Sequence, residues 1–404
     1  MDLKSGYPFF LLKSGLPYSY PSLEASVKAD VIIMGGGISG ALTAYYLVNS
    51  GVDCILIDGR TIGTGSTCAS TSLLQYEIDT PLCELIKKVG ELNAVRAYEL
   101  CAGAIDVLGQ IAKEIAFKDY EFVQSLYYAA YKKDIPFLKE EYAVRDKYGF
   151  KVSYLEKADI KKEYGFEAPG AILSAKAAQT NAYLFTHALL QASIKKGLRV
   201  FDRSYVKNIK HSPGNVTLTT EDGYILKSKK LVYANGYEAV KYIDKKVVEL
   251  HSTYACVSEQ ANTENTFWGD NVLLWNTADP YLYMRTTNDG RLLVGGRDEE
   301  FYDPKKRDKL LPLKTKQLVN DFHNLFPAID FKPEFSWCGT FGATKDGLPF
   351  IGEYKKLPNS LFALGFGGNG ITFSLIAAQI INDMITGKKN KDGQIFSFER
   401  VNKK

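Results

Sequence analysis

Asp30-Val31-Ile32-Ile33-Met34-Gly35-Gly36-Gly37-Ile38-Ser39-Gly40 is the stretch that decides how the rest of the chain is read. The short apolar run Asp30–Met34, rich in β-branched residues, reads as a buried parallel strand. Three glycines break it, and Ile38 to Ser50 then reads as a helix stopped by Gly51. Cys54 to Asp58 is a second strand, so the order is strand, helix, strand. Within the turn, Gly35-x-Gly37-x-x-Gly40 has the spacing of a phosphate-binding loop. Gly35 allows the tight turn, Gly37 admits a pyrophosphate to the backbone, and Gly40 lets helix and strand pack closely. The unpaired amides at the helix start, around Ile38 and Ser39, carry roughly half a positive charge and suit a bridging phosphate. Asp58 stands where an acid accepts from an adenosine ribose. After it come Gly59 and Arg60, and Arg60 reads either as a contact to a 2′-phosphate or as a solvated loop residue. Glycines at this spacing also serve ordinary turns; here the strand, glycines, helix, second strand and terminal acid occur in the order a dinucleotide requires.

Far downstream the pattern repeats in outline. Ser360 to Phe366 reads as a strand that runs into Gly365-Phe366-Gly367-Gly368-Asn369-Gly370-Ile371-Thr372, and a helix follows to Thr386. A second helix N-terminus therefore faces something anionic. One chain with a pyrophosphate loop at one end and an anion loop at the other suits a long cofactor such as FAD. The reduced flavin gathers negative charge at its N1/O2 edge, and a helix start there favours reduction by about 0.3–1 kcal/mol, up to about 2 when partly buried.

Between the two loops, Gly63 to Ser72 is polar and Ser/Thr/Gly-rich. Pro81 opens a long helical region to about Ala116, and Lys118–Tyr164 is mixed. Asn181 caps a helix ended by Gly197, and short strands follow to Ala234. His251 to Phe301 is β-rich, with a hairpin turn at Asn288-Asp289-Gly290, and Leu313–Phe326 is helical. The expected class is α/β, α+β overall: a Rossmann-like FAD-binding domain with an inserted antiparallel-sheet substrate domain. At 404 residues two domains are expected. The first would be discontinuous (1–110, 165–245 and 336–404) and the second would comprise 111–164 and 246–335.

The composition narrows the function further. A formal charge of +4 is small, and the lysines are scattered rather than gathered into a basic stripe, which argues against nucleic acid. The six cysteines form no CxxC pair, so neither a metal site nor a disulfide framework is expected. The apolar patch Phe9–Leu12 is too short for a signal peptide, and no run approaches the roughly 20 apolar residues that span a bilayer. A cytoplasmic location is the default expectation, and the sequence is silent on oligomeric state.

Several segments together carry a family resemblance: the N-terminal fingerprint, Gly63–Thr67 with Ala69-Ser70, Ala234-Asn235-Gly236, the GTFGATKDGLPFIG of Gly339–Gly352, and the final GFGGNGIT. The chain resembles the D-amino-acid oxidase-like superfamily of FAD-dependent oxidoreductases, which includes glycine, sarcosine and related amine oxidases. The resemblance implies that Ser66, Thr67, Ser70 and Ser72 line the pyrophosphate and flavin, and that Val206 meets the adenine through its backbone. It further implies that Ala234 and Gly236 pass beside the adenosine, with Gly339 and Gly367–Thr372 around the flavin. Some members attach flavin to a cysteine before a Thr-x-Asp. Cys338 precedes Thr344-Lys345-Asp346 at a spacing one residue too long, so a non-covalent FAD is expected.

The resemblance implies oxidation of a C–N bond of an amino acid or secondary amine by hydride transfer to flavin N5, with reoxidation by O2 or a quinone. The same scaffold also suits a dehydrogenase of a 2-hydroxy acid or polyol, or a flavin-binding protein without turnover of its own. For the substrate, Tyr281-x-Tyr283-x-Arg285 places three side chains on one strand face, where an arginine fork between phenols would clamp a carboxylate. Arg297 is a second candidate, and a solvated sheet face is the alternative for both. His251 falls on a strand expected to run past the flavin, and Gln75 and Tyr76 follow the Ser/Thr loop. His187, His211 and His323 suggest no role.

Overall fold

A computed structural model describes residues 1–260 and 268–402. Two sheets organise it. The first is eight-stranded, and its central strands run parallel in the order Ser360–Leu364, Ile225–Tyr233, Val27–Met34, Cys54–Ile57, Arg199–Phe201. Val27–Met34 and Cys54–Ile57 are buried on both faces at their fingerprint ends, as their unbroken Val/Ile/Leu runs require. Helix Ile38–Asn49 connects them and packs against helices Ala182–Ile194 and Gly370–Ile385. Both glycine loops thus open at the C-terminal edge of one parallel sheet, where α/β folds hold their ligands.

The second sheet is ten-stranded and mainly antiparallel. Its centre is Glu249–Ser258 between Leu292–Glu299 and Pro333–Ala343, backed by helix Pro304–Leu325. The mixed α/β class, with a Rossmann-like unit and a largely antiparallel sheet, is as the sequence led us to expect. Within the stretches assigned to the first unit, Lys4–Gly6, Leu73–Gln75, Gly170–Thr180 and Pro333–Ala343 pair into this second sheet. Strand pairing is a non-local choice that the local pattern does not specify.

Other departures have local causes. The long helical region expected after Pro81 is divided into two helices, Leu82–Val89 and Glu91–Glu114, because Gly90 adopts φ 84° and redirects the chain. The Ser/Thr/Gly stretch contains one helical turn, Ser66–Ala69. Lys118–Tyr164 resolves into strand Tyr120–Tyr128, helix Ile135–Lys147, strand Val152–Glu156 and helix Lys157–Tyr164. Of the β-rich region His251–Phe301, residues 261–267 lie outside the described residues, as do 403 and 404 of the last domain segment. The helix expected at Leu313 starts at Pro304, which suits a first turn, and carries Pro312 inside it. Asn181 caps its helix as expected, accepting from the Leu184 amide at 3.0 Å. The apolar patch near the N-terminus is a short helix, Phe9–Ser14, whose Phe9 and Phe10 are buried.

Candidate active site: one cavity between two glycine loops

Between the sheets lies a cavity of about 390 Å³. Its wall takes in both loops: Gly35, Gly37, Ile38 and Ser39 from the first, and Gly367, Gly368, Gly370 and Ile371 from the second. Asp58, Gly59, Arg60, Ser66, Thr67, Ser70, Ser72, Val206, Ala234, Gly236 and Gly339 also line it. Of the positions the sequence singled out for a cofactor, only Gly40, Asn369 and Thr372 stand off the wall. Each shapes it instead. A Cβ on Gly40 would sit 1.8 Å from the Gly35 carbonyl oxygen, so helix and strand approach only through a hydrogen. Asn369 donates to the Gln75 and Glu77 carbonyls at 3.3 and 2.7 Å, and the Thr372 hydroxyl donates to the Asn369 carbonyl at 3.0 Å.

At the fingerprint end the wall is mainly backbone. Gly35, at φ 122°, lies against the Ala234 carbonyl, where a Cβ would come within 2.4 Å. Asp58 accepts the Gly36 and Arg60 amides, each at 2.7 Å, which ties the acid to the loop it serves. Burial raises its carboxyl above the ordinary range, and those amides oppose the rise. A carboxylate has about four lone-pair sites, so a ribose hydroxyl still finds one. The Arg60 guanidinium is part-exposed but not free for a second phosphate: it pairs with Glu238 at 2.9 and 3.0 Å. The Ile38 amide donates to the Thr67 hydroxyl at 3.1 Å, which fixes the Ser66–Ala69 turn over the helix start.

The other end is built from side chains on distant strands. Tyr281, Tyr283, Asp298, Thr253, Trp337 and Phe341 line it. The Tyr281 and Tyr283 rings stand 5.8 Å apart at 50°, and Tyr281 donates to Asp79 at 3.3 Å. Asp79 in turn accepts the Gly368 amide at 2.6 Å, and Gly367 donates to the Gly342 carbonyl at 3.0 Å. Two loop amides are therefore committed, and the anion-facing role expected of Gly367–Thr372 rests on the amides that open helix Gly370–Ile385. Burial pushes the Asp298 carboxyl up to about 7, against the lowering influence of the Thr253 hydroxyl.

The carboxylate clamp expected at Arg285 is not built. Arg285 shares the predicted strand, Tyr283–Thr286, but is 3% exposed and does not line the cavity. Its Nη1 donates to the carbonyls of Thr71, Ser72 and Thr180 at 3.2, 2.9 and 3.0 Å, and its Nε to the Thr286 carbonyl at 3.0 Å. It anchors the Ser/Thr loop from behind. Arg297, at φ 58°, turns out to Asp321 and stands off the cavity. His251 lies on strand Glu249–Ser258 and stacks on Phe341 at 5.3 Å, one residue short of the wall. Gln75 does line the cavity, whereas Tyr76 is buried against Phe150 with centroids 5.2 Å apart. Cys338 points to the opposite face of its strand, with Sγ 3.5 Å from Asp308, and burial pushes its thiol up to about 12. That orientation fits a cofactor held without a covalent link.

Sequence reasoning missed Asp79, Thr253, Asp298, Trp337 and Phe341 at this end, and Tyr205, Glu238 and Lys241 at the other. Phe341 lies inside the Gly339–Gly352 motif, and the others belong to none. The signal was indirect: Gly295-Gly296 marks a strand over which another group must pass, and a Cβ on Gly295 would meet the Tyr283 ring at 2.3 Å.

The residues of the wall suit FAD. Gly35 and Gly37 bring bare backbone to the wall, the surface a pyrophosphate needs. Ser66 Oγ, Asn235 Oδ1 and Asp298 Oδ1 are buried in residues of the wall with no hydrogen-bond partner. Polar atoms left this way normally have a partner, and these three are distributed along the cavity. The residues fit.

Comparison with known proteins agrees. The family model described as FAD dependent oxidoreductase matches residues 30–384. The chain is 23% identical to the glycine oxidase of Bacillus subtilis (strain 168), over 93% of this chain and 97% of that one. It is also 23% identical to the gamma-glutamylputrescine oxidoreductase of Escherichia coli (strain K12), over 91% and 86%. Among solved structures, L-proline dehydrogenase from P. horikoshii superimposes with a TM-score of 0.78 at 17% identity, covering 93% of this chain and 98% of that one, which shows a shared fold.

Proposed function

This chain belongs to the FAD-dependent oxidoreductase family and is itself an FAD-dependent oxidoreductase; from that premise we propose that it oxidises the C–N bond of an amino acid or amine. Relatives named for amine and amino-acid oxidation support the reading. The observation in the cavity that carries it is the acceptor set into the wall: Asp298 Oδ1, buried without a partner and sharing that end with Tyr281, Tyr283 and Thr253, stands ready for an N–H donor. A neutral amine brings its own lone pair to form C=N, so alignment does most of the work.

When bound, FAD supplies the hydride acceptor at N5. The chain's own part is to hold and orient. The Gly37 and Ser39 amides would take the diphosphate beside the bare backbone of Gly35, with the Ile38 amide kept on the Thr67 hydroxyl, and Asp58 would take the ribose. Arg285 would hold the Thr71 and Ser72 carbonyls in place, and Tyr281, Tyr283 and Thr253 would set the substrate's reacting carbon over the ring. Water then converts the released imine to a carbonyl compound and ammonia, or an amine where the substrate was a secondary amine. Either O2 or a quinone would serve as the final acceptor.

An anaerobic panel of amines, amino acids and 2-hydroxy acids, followed by loss of flavin absorbance, tests this directly. Bleaching by amines or amino acids is expected. Bleaching by hydroxy acids alone overturns it.

A further inference from the structure

We propose that the substrate end of the cavity recognises a cationic amine that carries no carboxylate beside its reacting carbon, and that Asp298 is the residue that anchors its ammonium group. The inference rests on the function proposed above and narrows its substrate.

Charge around the cavity is divided by sign. Arg60 and Lys241 are the lysine and arginine side chains on the wall among the described residues, and both belong to the adenosine end. Arg60 is paired with Glu238 there, and Lys241 stands over the Tyr205 and Tyr242 rings at 5.8 and 5.2 Å. At the substrate end the wall contributes Asp298, and Asp79 borders it through Tyr281 and Gly368. The cations that approach that end from other elements are already engaged. Arg285 is held by main-chain carbonyls, Arg297 by Asp321, and Lys314 by Glu299 at 2.5 Å. A substrate carboxylate placed here meets an acid and, among the described residues, no arginine on the wall.

The same groups suit an ammonium. Asp298 Oδ1 is buried without a partner, so an acceptor stands ready. Tyr281 and Tyr283 present two tilted rings beside it, with Trp275 edge-on to Tyr281 at 6.3 Å. An acid flanked by aromatic faces is a favourable setting for a cation. The groups that act electrostatically on Asp298 are Asp79, Asp279 and Lys314, with the Thr253 hydroxyl in hydrogen-bonding contact. Two of the three charges are acids, which makes ionisation costly until a cation arrives. Binding an ammonium ion would relieve that cost, and the Asp298 carboxylate would then take the ammonium proton, leaving the neutral amine whose lone pair forms C=N as its carbon gives up hydride.

The test uses the FAD-loaded wild-type protein and matched pairs that differ by one carboxylate: sarcosine against N-methylethylamine, phenylalanine against phenethylamine, lysine against cadaverine. Anaerobic flavin reduction is followed for each. At least one amine is expected to reduce the flavin faster than its amino-acid partner by on the order of a hundredfold, the cost of setting a like charge against a buried acid. If the amino acids reduce as fast or faster, the inference falls while C–N oxidation stands; if neither member of any pair reduces the flavin, both fall. Asp298→Asn gives a second readout. Its apparent amine affinity should drop on the order of a hundredfold at pH 8 and converge on wild type toward pH 6, where the wild-type acid is protonated. A loss of equal size at both pH values would mean a merely structural role.

Discussion

The two ends of the cavity are built by different means. At the fingerprint end the wall is mainly backbone: Gly35, Gly37 and the Ile38 amide sit in the turn from strand Val27–Met34 into helix Ile38–Asn49, within one βαβ unit. At the substrate end the wall is side chain: Tyr283, Asp298, Thr253 and Phe341 come from four strands that meet only through sheet pairing. The first kind of site leaves glycines at fixed spacing in the sequence. The second leaves nothing but ordinary residues on strands. A phosphate pocket can therefore be read from a chain whose substrate pocket stays hidden.

The sharpest way to break this contrast is at Gly40. Its missing side chain lets the fingerprint helix touch the strand, with a Cβ 1.8 Å from the Gly35 carbonyl. Gly40→Val should abolish FAD binding and lower Tm markedly, read from the flavin-to-protein absorbance ratio and a melting curve. Retained flavin would show that the loop's backbone geometry is not what holds the cofactor.

Arg285 comes next, because it was expected at the substrate end and is found serving the cofactor end. Arg285→Met leaves the Thr71, Ser72 and Thr180 carbonyls without their donor and should cost about 2–5 kcal/mol. FAD affinity and Tm should fall while KM for substrate in the fully loaded enzyme holds. A change in KM alone would return Arg285 to the substrate.

A smaller effect is expected at Gly368, where a Cβ would meet Asp79 Oδ1 at 2.6 Å and the Tyr281 hydroxyl at 2.9 Å. Both are side-chain ends that can shift, so Gly368→Ala should cost about 1–2 kcal/mol, keep the flavin, and change its spectrum or reduction rate. Loss of flavin as complete as in Gly40→Val would erase the difference between the two loops.

A further effect is thermodynamic and depends on pH. Asp298 has its carboxyl raised to about 7 in the folded state. The unfolded carboxyl titrates at about 3.9. Between those values the unfolded chain has released the proton and the folded chain has not, so stability falls as pH rises through that window. Asp298→Asn removes that loss, and its Tm advantage over the wild-type apoprotein should grow from about pH 4 to about pH 7 and then level off. A constant difference across that range would mean the acid is not perturbed.

The boundary of legibility follows the same line. Val27–Met34, Ile38–Asn49 and Gly370–Ile385 lie within a few residues of where the apolar periods put them, since each buries a face set by local pattern. The break at Gly90 was missed because a glycine inside a helical pattern is often tolerated, and only its positive φ reveals the turn. Arg285 was placed on the right strand face, yet a two-residue period does not say how far along that face the cavity extends. Asp298 was illegible because Arg297, at φ 58°, interrupts the alternation that would have assigned its side.

The central claim is that one FAD spans the whole cavity, diphosphate at Gly35–Gly40 and isoalloxazine beside Gly367–Thr372, without a covalent link. Titrating the purified chain with FAD and then precipitating it with acid measures this most directly. One flavin bound per chain, released to the supernatant on precipitation, is the predicted result. A protein that stays colourless in excess FAD, or whose flavin remains in the pellet, would contradict it.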